Sequence, residues 1–387
     1  MRIVHTSDWH AGKVWKTINR LSEVQAALDH LARYIETEEI DVLLHSGDVF
    51  DASVPMADAE RAVFQFFKRV GRSGTKTVVI AGNHDNAARM QAWGLLTELV
   101  DVYAIPRPVR PEQGGVLEFT TRGGERAVVA GLPFTSIGML LTAMEIAVTD
   151  GTAFTTYDDG IRKMMHLLSA AFRPDAVNLL IAHTYLEGAV IAGSERRATL
   201  GKEWTTTAQA LPHRAHYIGL GHIHKPQRVE AAPVPTRYAG SVLQMDFDEA
   251  EDPKSFVRID ASPDTPASVE CIPYEGTKSL VRVKATLPEL EVKATSLASQ
   301  GYLEVTVTLD RHDPDINAKV RRLLSNAVSV RQEYPELKQQ ARVERKGLPP
   351  RELFALYYKQ QNRGTLSDAV LAAFDELYRQ AEADSAT

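Results

Sequence analysis

The chain has 387 residues, 44% of them apolar and 24% charged; at about 150 residues per domain it makes two or three folded domains, which excludes collagen-like, coiled-coil-dominated and globally disordered readings. A formal net charge of -6 excludes a small basic nucleic-acid binder that works by field strength alone, while leaving local basic clusters open. One cysteine, Cys271, rules out a disulfide framework and a thiolate metal cluster, so a metal would need His, Asp, Glu or Asn ligands, and twelve histidines are on hand.

Met1-Arg2-Ile3-Val4-His5 leads straight into an apolar strand, and no stretch approaches a membrane span in length, so the cytoplasm is the expected location. Arg2–Thr6 reads as the first strand. Ser22 and Gln25 form a capping box for a helix over Ser22–Glu39, with Val24, Leu28, Leu31 and Ile35 on one stripe. A strand at Val42–Leu44 runs to Gly47, and a helix carrying Val63, Phe66, Phe67 and Val70 follows. Next come a strand at Thr77–Ala81, a helix near Gln91–Val100, strands at Val102–Ile105 and Ala127–Leu132, and a helix at Ile161–Ala171. Asn178–Ala182, Tyr217–Leu220, Arg237–Val242 and Phe256–Ile259 are further strands. This alternation is the pattern of βαβ construction. Phe64, Phe66, Phe67, Trp93, Leu95 and Leu96 read most simply as core-facing.

After about Glu275 the pattern changes. Leu280–Thr286 and Leu303–Leu309 alternate with period two, as half-buried antiparallel strands do, and Ile316, Val320, Leu323 and Ala327 supply one amphipathic helix. Gly347-Leu348-Pro349-Pro350 breaks the chain before a helical tail carrying Leu353, Phe354, Tyr357, Tyr358 and, beyond Gly364, Leu371, Phe374 and Leu377. Residues 1–275 hold 27 Lys and Arg against 35 Asp and Glu, and residues 276–387 hold 17 against 15. The second part includes a basic stretch of Arg342, Arg345, Lys346, Arg351, Lys359 and Arg363.

Five clusters of metal-type ligands stand at the carboxyl ends of predicted strands, where open α/β sheets place their sites. They are Asp8-Trp9-His10, Gly47-Asp48, Gly82-Asn83-His84-Asp85, His183, and Gly221-His222-Ile223-His224. Residue frequencies give roughly 0.02 chance occurrences of Gly-His-x-His and fewer than about 0.001 of Gly-Asn-His-Asp, whereas a lone Asp-x-His carries no information. Mixed oxygen and imidazole donors suit a pair of divalent cations, and a carboxylate such as Asp48 can bridge two ions where an imidazole cannot.

In that order these motifs resemble the calcineurin-like metallophosphoesterase superfamily. His5-Thr6-Ser7-Asp8-Trp9-His10-Ala11-Gly12-Lys13, Ser46-Gly47-Asp48-Val49-Phe50-Asp51, Ala182-His183-Thr184-Tyr185, His222-Ile223-His224-Lys225-Pro226-Gln227 and Tyr238-Ala239-Gly240-Ser241 resemble the SbcD family within it, as does Met245-Asp246-Phe247. The resemblance implies a four-layer α/β/β/α nuclease core over residues 1–275, a small α+β capping domain over 276–345 and a partner-binding helical tail over 346–387. It implies one ion on Asp8, His10, Asp48 and His224 and a second on Asp48, Asn83, His183 and His222. His84 would face the phosphate, and Asp85 would orient the His84 ring or hold its loop.

The family prefers Mn²⁺, with Mg²⁺, Fe or Zn²⁺ as alternatives. It cuts double-stranded DNA from its ends, nicks single strands and opens hairpins, in DNA repair, recombination and replication. The resemblance further implies a homodimer, built on some of the apolar residues named above, and an SbcC-type coiled-coil ATPase docked on the tail. This sequence has no Gly-x-x-x-x-Gly-Lys-[Ser/Thr] loop, so ATP would be used by that partner. Arg196, Arg197 and Lys202 read equally as DNA-backbone contacts or a solvated loop. Two other readings are a phosphoesterase of a small phosphoester and a catalytically silent DNA-end scaffold; the extra domain and tail oppose the first, and the complete ligand set opposes the second.

Overall fold

The computed structural model describes residues 1–145, 156–195, 204–334, 348–360 and 366–385. They fall into two compact units, the first holding residues 1–308 and 312–333 and the second residues 309–311 and 334–387.

The first unit is built on two six-stranded sheets. Strands β1 (Arg2–Thr6), β2 (Val42–His45), β3 (Lys76–Ile80) and β4 (Val102–Ile105) run parallel in one sheet. The second sheet contains β5 (Val116–Thr120), β6 (Arg126–Leu132), β7 (Val177–His183), β8 (Tyr217–Gly221), β9 (Gln227–Arg228) and β10 (Thr236–Tyr238), in the order β9-β10-β8-β7-β6-β5. The chain then returns to the first sheet with β11 (Ser255–Ser262) and β12 (Thr265–Pro273), giving β12-β11-β1-β2-β3-β4.

The layering follows from side-chain alternation. Ile3, Val42, Leu44, Val78 and Ile80 face Val129, Val177, Leu179, Ile181 and Tyr217 between the two sheets. Their neighbours point the other way. Val4, Leu43 and Val79 meet Leu28, Leu31 and Ile35 of α1 (Leu21–Thr37) and Val63, Phe67 and Val70 of α2 (Ala57–Arg72). Helix α3 (Ala87–Thr97) adds Met90 to that layer. Leu180, Ile218 and Leu220 meet α4 (Ile137–Ala143) and α5 (Tyr157–Ser169) on the far side. Period-two strands buried on both faces produce an α/β/β/α stack.

Several expectations need correction. Helix α1 starts at Leu21, whose N–H is accepted by Asn19 Oδ1 at 2.9 Å, so Ser22 lies inside the first turn and its capping box does not form. Helix α3 precedes its expected bounds because Asn86 caps it, accepting the Arg89 N–H at 3.1 Å. Strand β10 ends at Tyr238, before Gly240 adopts φ +79°. The strands expected to be antiparallel are parallel: β13 (Leu280–Ala285), β14 (Tyr302–Thr308) and β15 (Ala327–Glu333) form one sheet. Helices α6 (Leu287–Ala298) and α7 (Ile316–Leu323) make the crossovers that parallel neighbours require. The Thr286/Glu289 capping box that nucleates α6 lies at the end of what reads as a strand.

Sheet β13–β15 belongs to the same unit as the large sheets, and a buried ion pair joins them. Arg20 forks onto Glu23 at 3.0 and 2.7 Å, and donates to the Gln244 carbonyl at 2.5 Å. Glu23 also accepts the Tyr302 hydroxyl at 2.9 Å and the Lys278 N–H at 3.2 Å. Arg20 hydrogen bonds and the Arg20 charge hold the Glu23 carboxyl below its ordinary range against the opposing effect of burial.

In the second unit, α8 (Pro350–Gln360) and α9 (Asp368–Ser385) are held by Phe354 stacked on Phe374 at 4.2 Å and by an Arg351–Asp375 pair at 3.3 Å.

Glu23→Ala leaves the buried Arg20 charge unpaired and should cost about 3–5 kcal/mol of stability in urea unfolding. A loss under about 0.5 kcal/mol would contradict the anchoring role of the pair.

Candidate metal centre

Each ligand cluster leaves the carboxyl end of a parallel strand: Asp8 and His10 after β1, Asp48 after β2, Asn83, His84 and Asp85 after β3, His183 at the end of β7, and His222 and His224 after β8. Gly221 pairs with His183 across the second sheet, setting those two strand ends side by side. The chain turns there on strained backbone. Asp8, His10, Asp48 and His222 adopt φ of 51°, 45°, 56° and 96°, a region costing non-glycine residues on the order of 1–3 kcal/mol each and concentrated at functional sites.

Glycines let the turns close up. A Cβ on Gly82 would lie 2.1 Å from Asp48 Oδ1, and one on Gly221 would lie 2.1 Å from the Ser46 carbonyl and 2.2 Å from Ser7 Oγ. Neither position admits a side chain without moving the site.

Asp8, His10 and His224 offer donor atoms within 4.8 Å of one another, as do Asp8, Asp48 and His183, and His10, Asp48 and His84. Asp48 Oδ2 is 3.6 Å from both His10 Nε2 and His183 Nε2, while its Oδ1 accepts the His84 N–H at 2.8 Å. Asn83 Oδ1 lies 3.0 Å from His183 Nε2 and 2.9 Å from His222 Nδ1. Asp8 accepts the His222 N–H at 3.1 Å and the Ser7 hydroxyl at 2.5 Å. All seven expected ligands therefore meet at one place.

The electrostatics fit a cation there. His183 donates Nδ1–H to the Ser46 carbonyl at 2.7 Å, which turns its Nε2 lone pair toward Asn83 Oδ1, another acceptor. His10 Nε2 faces His224 Nε2 at 3.1 Å, with His10 Nδ1 3.2 Å from Asp51. Burial lowers His10 to about 4 and also lowers His183, so both are neutral near pH 7. His183 Nε2 and Asn83 Oδ1 are thus two acceptors at hydrogen-bonding distance, an arrangement that a proton or a metal ion between them stabilises. Glu249 and the Asp8 charge raise His224 above its ordinary range against the effect of burial. Burial pushes the Asp8 carboxyl up to about 8, with the Asp48 charge adding to the rise. Burial would raise Asp48 too, but the surrounding imidazoles of His183, His10 and His84 and the His84 N–H that it accepts outweigh burial and lower the carboxyl.

Residues 1–226 match the calcineurin-like phosphoesterase model, and residues 277–362 match the type 5 capsule protein repressor C-terminal domain model, SbcD_C. The SbcD subunit of the SbcCD nuclease of Bacillus subtilis is 31% identical over 377 residues, 95% of each chain. The chain belongs to the SbcD family of calcineurin-like phosphoesterases. The corresponding SbcCD nuclease subunit of Escherichia coli K12 is 29% identical to this SbcD-family chain, covering 84% of it and 82% of the relative.

Of the remaining predicted residues, His84 is half-buried and donates Nδ1–H to the Asp51 carbonyl at 2.7 Å. Asp85 accepts the N–H groups of Gly82, Val49 and Phe50 at 2.9, 3.2 and 3.1 Å, so of its two expected roles the structure favours holding the loop. Arg196, Arg197, Lys202, Arg342, Arg345, Lys346 and Arg363, and the side chain of Lys359, lie outside the described residues. His5, one of the histidines assigned no function, is buried and bonded to Tyr217 and Ser46 at 2.9 and 2.7 Å. Sequence reasoning missed Asp51, Ser194, Glu195, Glu249 and Lys254. Glu195 accepts the His224 N–H at 3.0 Å. None of the five stands at a motif spacing; only Asp51, at the end of the Gly47-Asp48 segment, was within reach.

Because Asp8 is protonated below about 8 in the metal-free chain, Mn²⁺ binding at pH 7 should release protons. Apparent affinity should then rise with pH toward about 8 by up to about tenfold per unit for each proton released. Titration calorimetry in buffers of different ionisation enthalpy checks this, and pH-independent affinity without proton release would contradict it.

Proposed function

We propose that this chain is a metal-dependent DNA nuclease, the catalytic subunit of an SbcCD-type complex that processes DNA ends in repair and recombination. The observation that carries the reading is the convergence of two donor sets on the single carboxylate of Asp48. Asp8, His10, Asp48 and His224 would hold one divalent cation, and Asp48, Asn83, His183 and His222 the other. Mn²⁺ is our assignment for both. When bound, two such ions polarise a phosphodiester and make a water nucleophilic at neutral pH.

The chain's own groups supply the rest. The His84 N–H steadies Asp48 Oδ1, and the His84 ring stands edge-on to His10 with centroids 4.6 Å apart. With Nδ1–H committed to Asp51, Nε2 is the atom through which a protonated His84 would stabilise the phosphoryl charge or protonate the leaving oxygen. Asp85 holds the loop that carries both Asn83 and His84.

We assign residues 1–275 to the nuclease core, 276–345 to the cap and 346–387 to a tail that docks on an SbcC-type coiled-coil ATPase. Tyr357 and Leu377, 59% and 65% exposed, support a partner surface on the tail helices. Phe66 and Phe67 are buried in the core, but Leu95 and Leu96 on α3 and Leu99 in the turn after it are 73%, 70% and 84% exposed, which supports a homodimer face there. No helix among the described residues is long and apolar enough to cross a membrane; we place the protein in the cytoplasm.

With Mn²⁺ the chain should degrade linear DNA and EDTA should stop it. His84→Ala should lose about 10²–10⁴-fold in cutting rate while retaining Mn²⁺; wild-type cutting would remove the assigned role. Rapid hydrolysis of cyclic nucleotides with no action on DNA would overturn the substrate. Deleting residues 346–387 should abolish co-purification with the ATPase, and retained binding would refute the tail assignment.

A further inference from the structure

His224 is approached from behind by a chain of polar groups that its motif does not announce. Ser194 Oγ lies 2.5 Å from His224 Nδ1, and the Ser194 hydroxyl donates to Glu249 Oε1 in a short hydrogen bond. The serine proton is committed to the carboxylate, so its oxygen can only accept from the ring. That fixes a proton on Nδ1 and leaves Nε2 facing His10 and the cluster.

Glu249 is fully buried, with Oε2 2.6 Å from Lys254 Nζ and accepting the Met245 N–H at 3.1 Å. Lys254, also buried, donates to the His224 carbonyl at 2.8 Å, so the same pair grips the backbone of the residue whose ring it orients. A buried ion pair is a poor source of stability, because desolvation offsets its attraction. Two of its contacts lead to His224, through the Ser194 hydroxyl and the His224 carbonyl, and the Met245 N–H and Ser241 hydroxyl tie it to the neighbouring turn.

We propose that Ser194 and Glu249, braced by Lys254, form a positioning relay that locks His224 as its Nδ1–H tautomer and presents Nε2 to the cation site. Its purpose rests on the metal reading above; the tautomer does not. Partners of this kind commonly change metal affinity by about 10–100-fold. Neither Ser194 nor Glu249 touches the reacting atoms in this assignment.

Ser194→Ala deletes the relay with little change in volume and leaves the Glu249–Lys254 pair intact. Mn²⁺ titration of the full chain should show one of two binding events weakened about 10–100-fold, the other unchanged within about twofold, and recovery in Ser194→Thr. Imidazole ¹⁵N spectra of the metal-free chain at pH 9 should show wild-type His224 as the Nδ1–H tautomer and Ser194→Ala shifted toward Nε2–H. An Nε2–H tautomer in the wild type, unchanged Mn²⁺ affinity in Ser194→Ala, or equal loss at both sites would overturn the relay. A wild-type chain that binds no Mn²⁺ yet keeps the Nδ1–H tautomer would overturn the metal reading and uphold the relay.

Discussion

A buried carboxylate that stays ionised organises this molecule. Asp48 is desolvated at the meeting point of two sheets, and the His84 N–H on its Oδ1 and the imidazoles of His10, His183 and His84 around it counter that burial. Each of those groups comes from a different strand end. The fold must therefore bring β1, β2, β3 and β7 to one edge before the charge can be accommodated, and the β-sandwich core of Ile3, Leu44, Val78, Leu179 and Ile181 sets that spacing. In the proposed reading a cation pair would complete this environment, and the proton that Asp8 holds beside Asp48 would give way to it.

The local price is backbone strain, met by glycine where nothing larger fits. Four of the expected ligands sit in left-handed conformations, and Gly82 and Gly221 let the neighbouring turns approach within contact of Asp48 and Ser46. The surroundings then fix side-chain direction: the Ser46 carbonyl turns His183, the Asp51 carbonyl turns His84, and Ser194 turns His224. These partners belong to loops that carry no ligand-type motif except the Asp48 turn itself. Core packing supplies coarse placement, and hydrogen bonds behind the rings supply the last fraction of an ångström that coordination chemistry needs.

The candidate ligands were legible in the sequence because the chemistry proposed for them demands particular residue types at strand ends. Gly-Asn-His-Asp and Gly-His-x-His after apolar runs are rare combinations, and a cluster of oxygen and imidazole donors has few other uses. The groups behind them were not legible. Ser194 lies 30 residues from His224 and 55 from Glu249, so no spacing announces their contact. Glu23 is buried against Arg20, and no motif in the helix announces it. Period-two alternation at Leu280 and Leu303 identified strands but carries no direction; the parallel arrangement is dictated by α6, which buries only Leu290 and Leu297 and so shows no apolar stripe. The sheets, by contrast, were legible because strands buried on both faces read as continuous apolar runs.

The central claim is that Asp48 bridges two cations, and anomalous diffraction from crystals soaked in Mn²⁺ tests it most directly. Two manganese peaks per chain are expected about 3.5–4 Å apart, both within coordination distance of the Asp48 carboxylate. A single peak, or a pair that Asp48 does not touch, would contradict it.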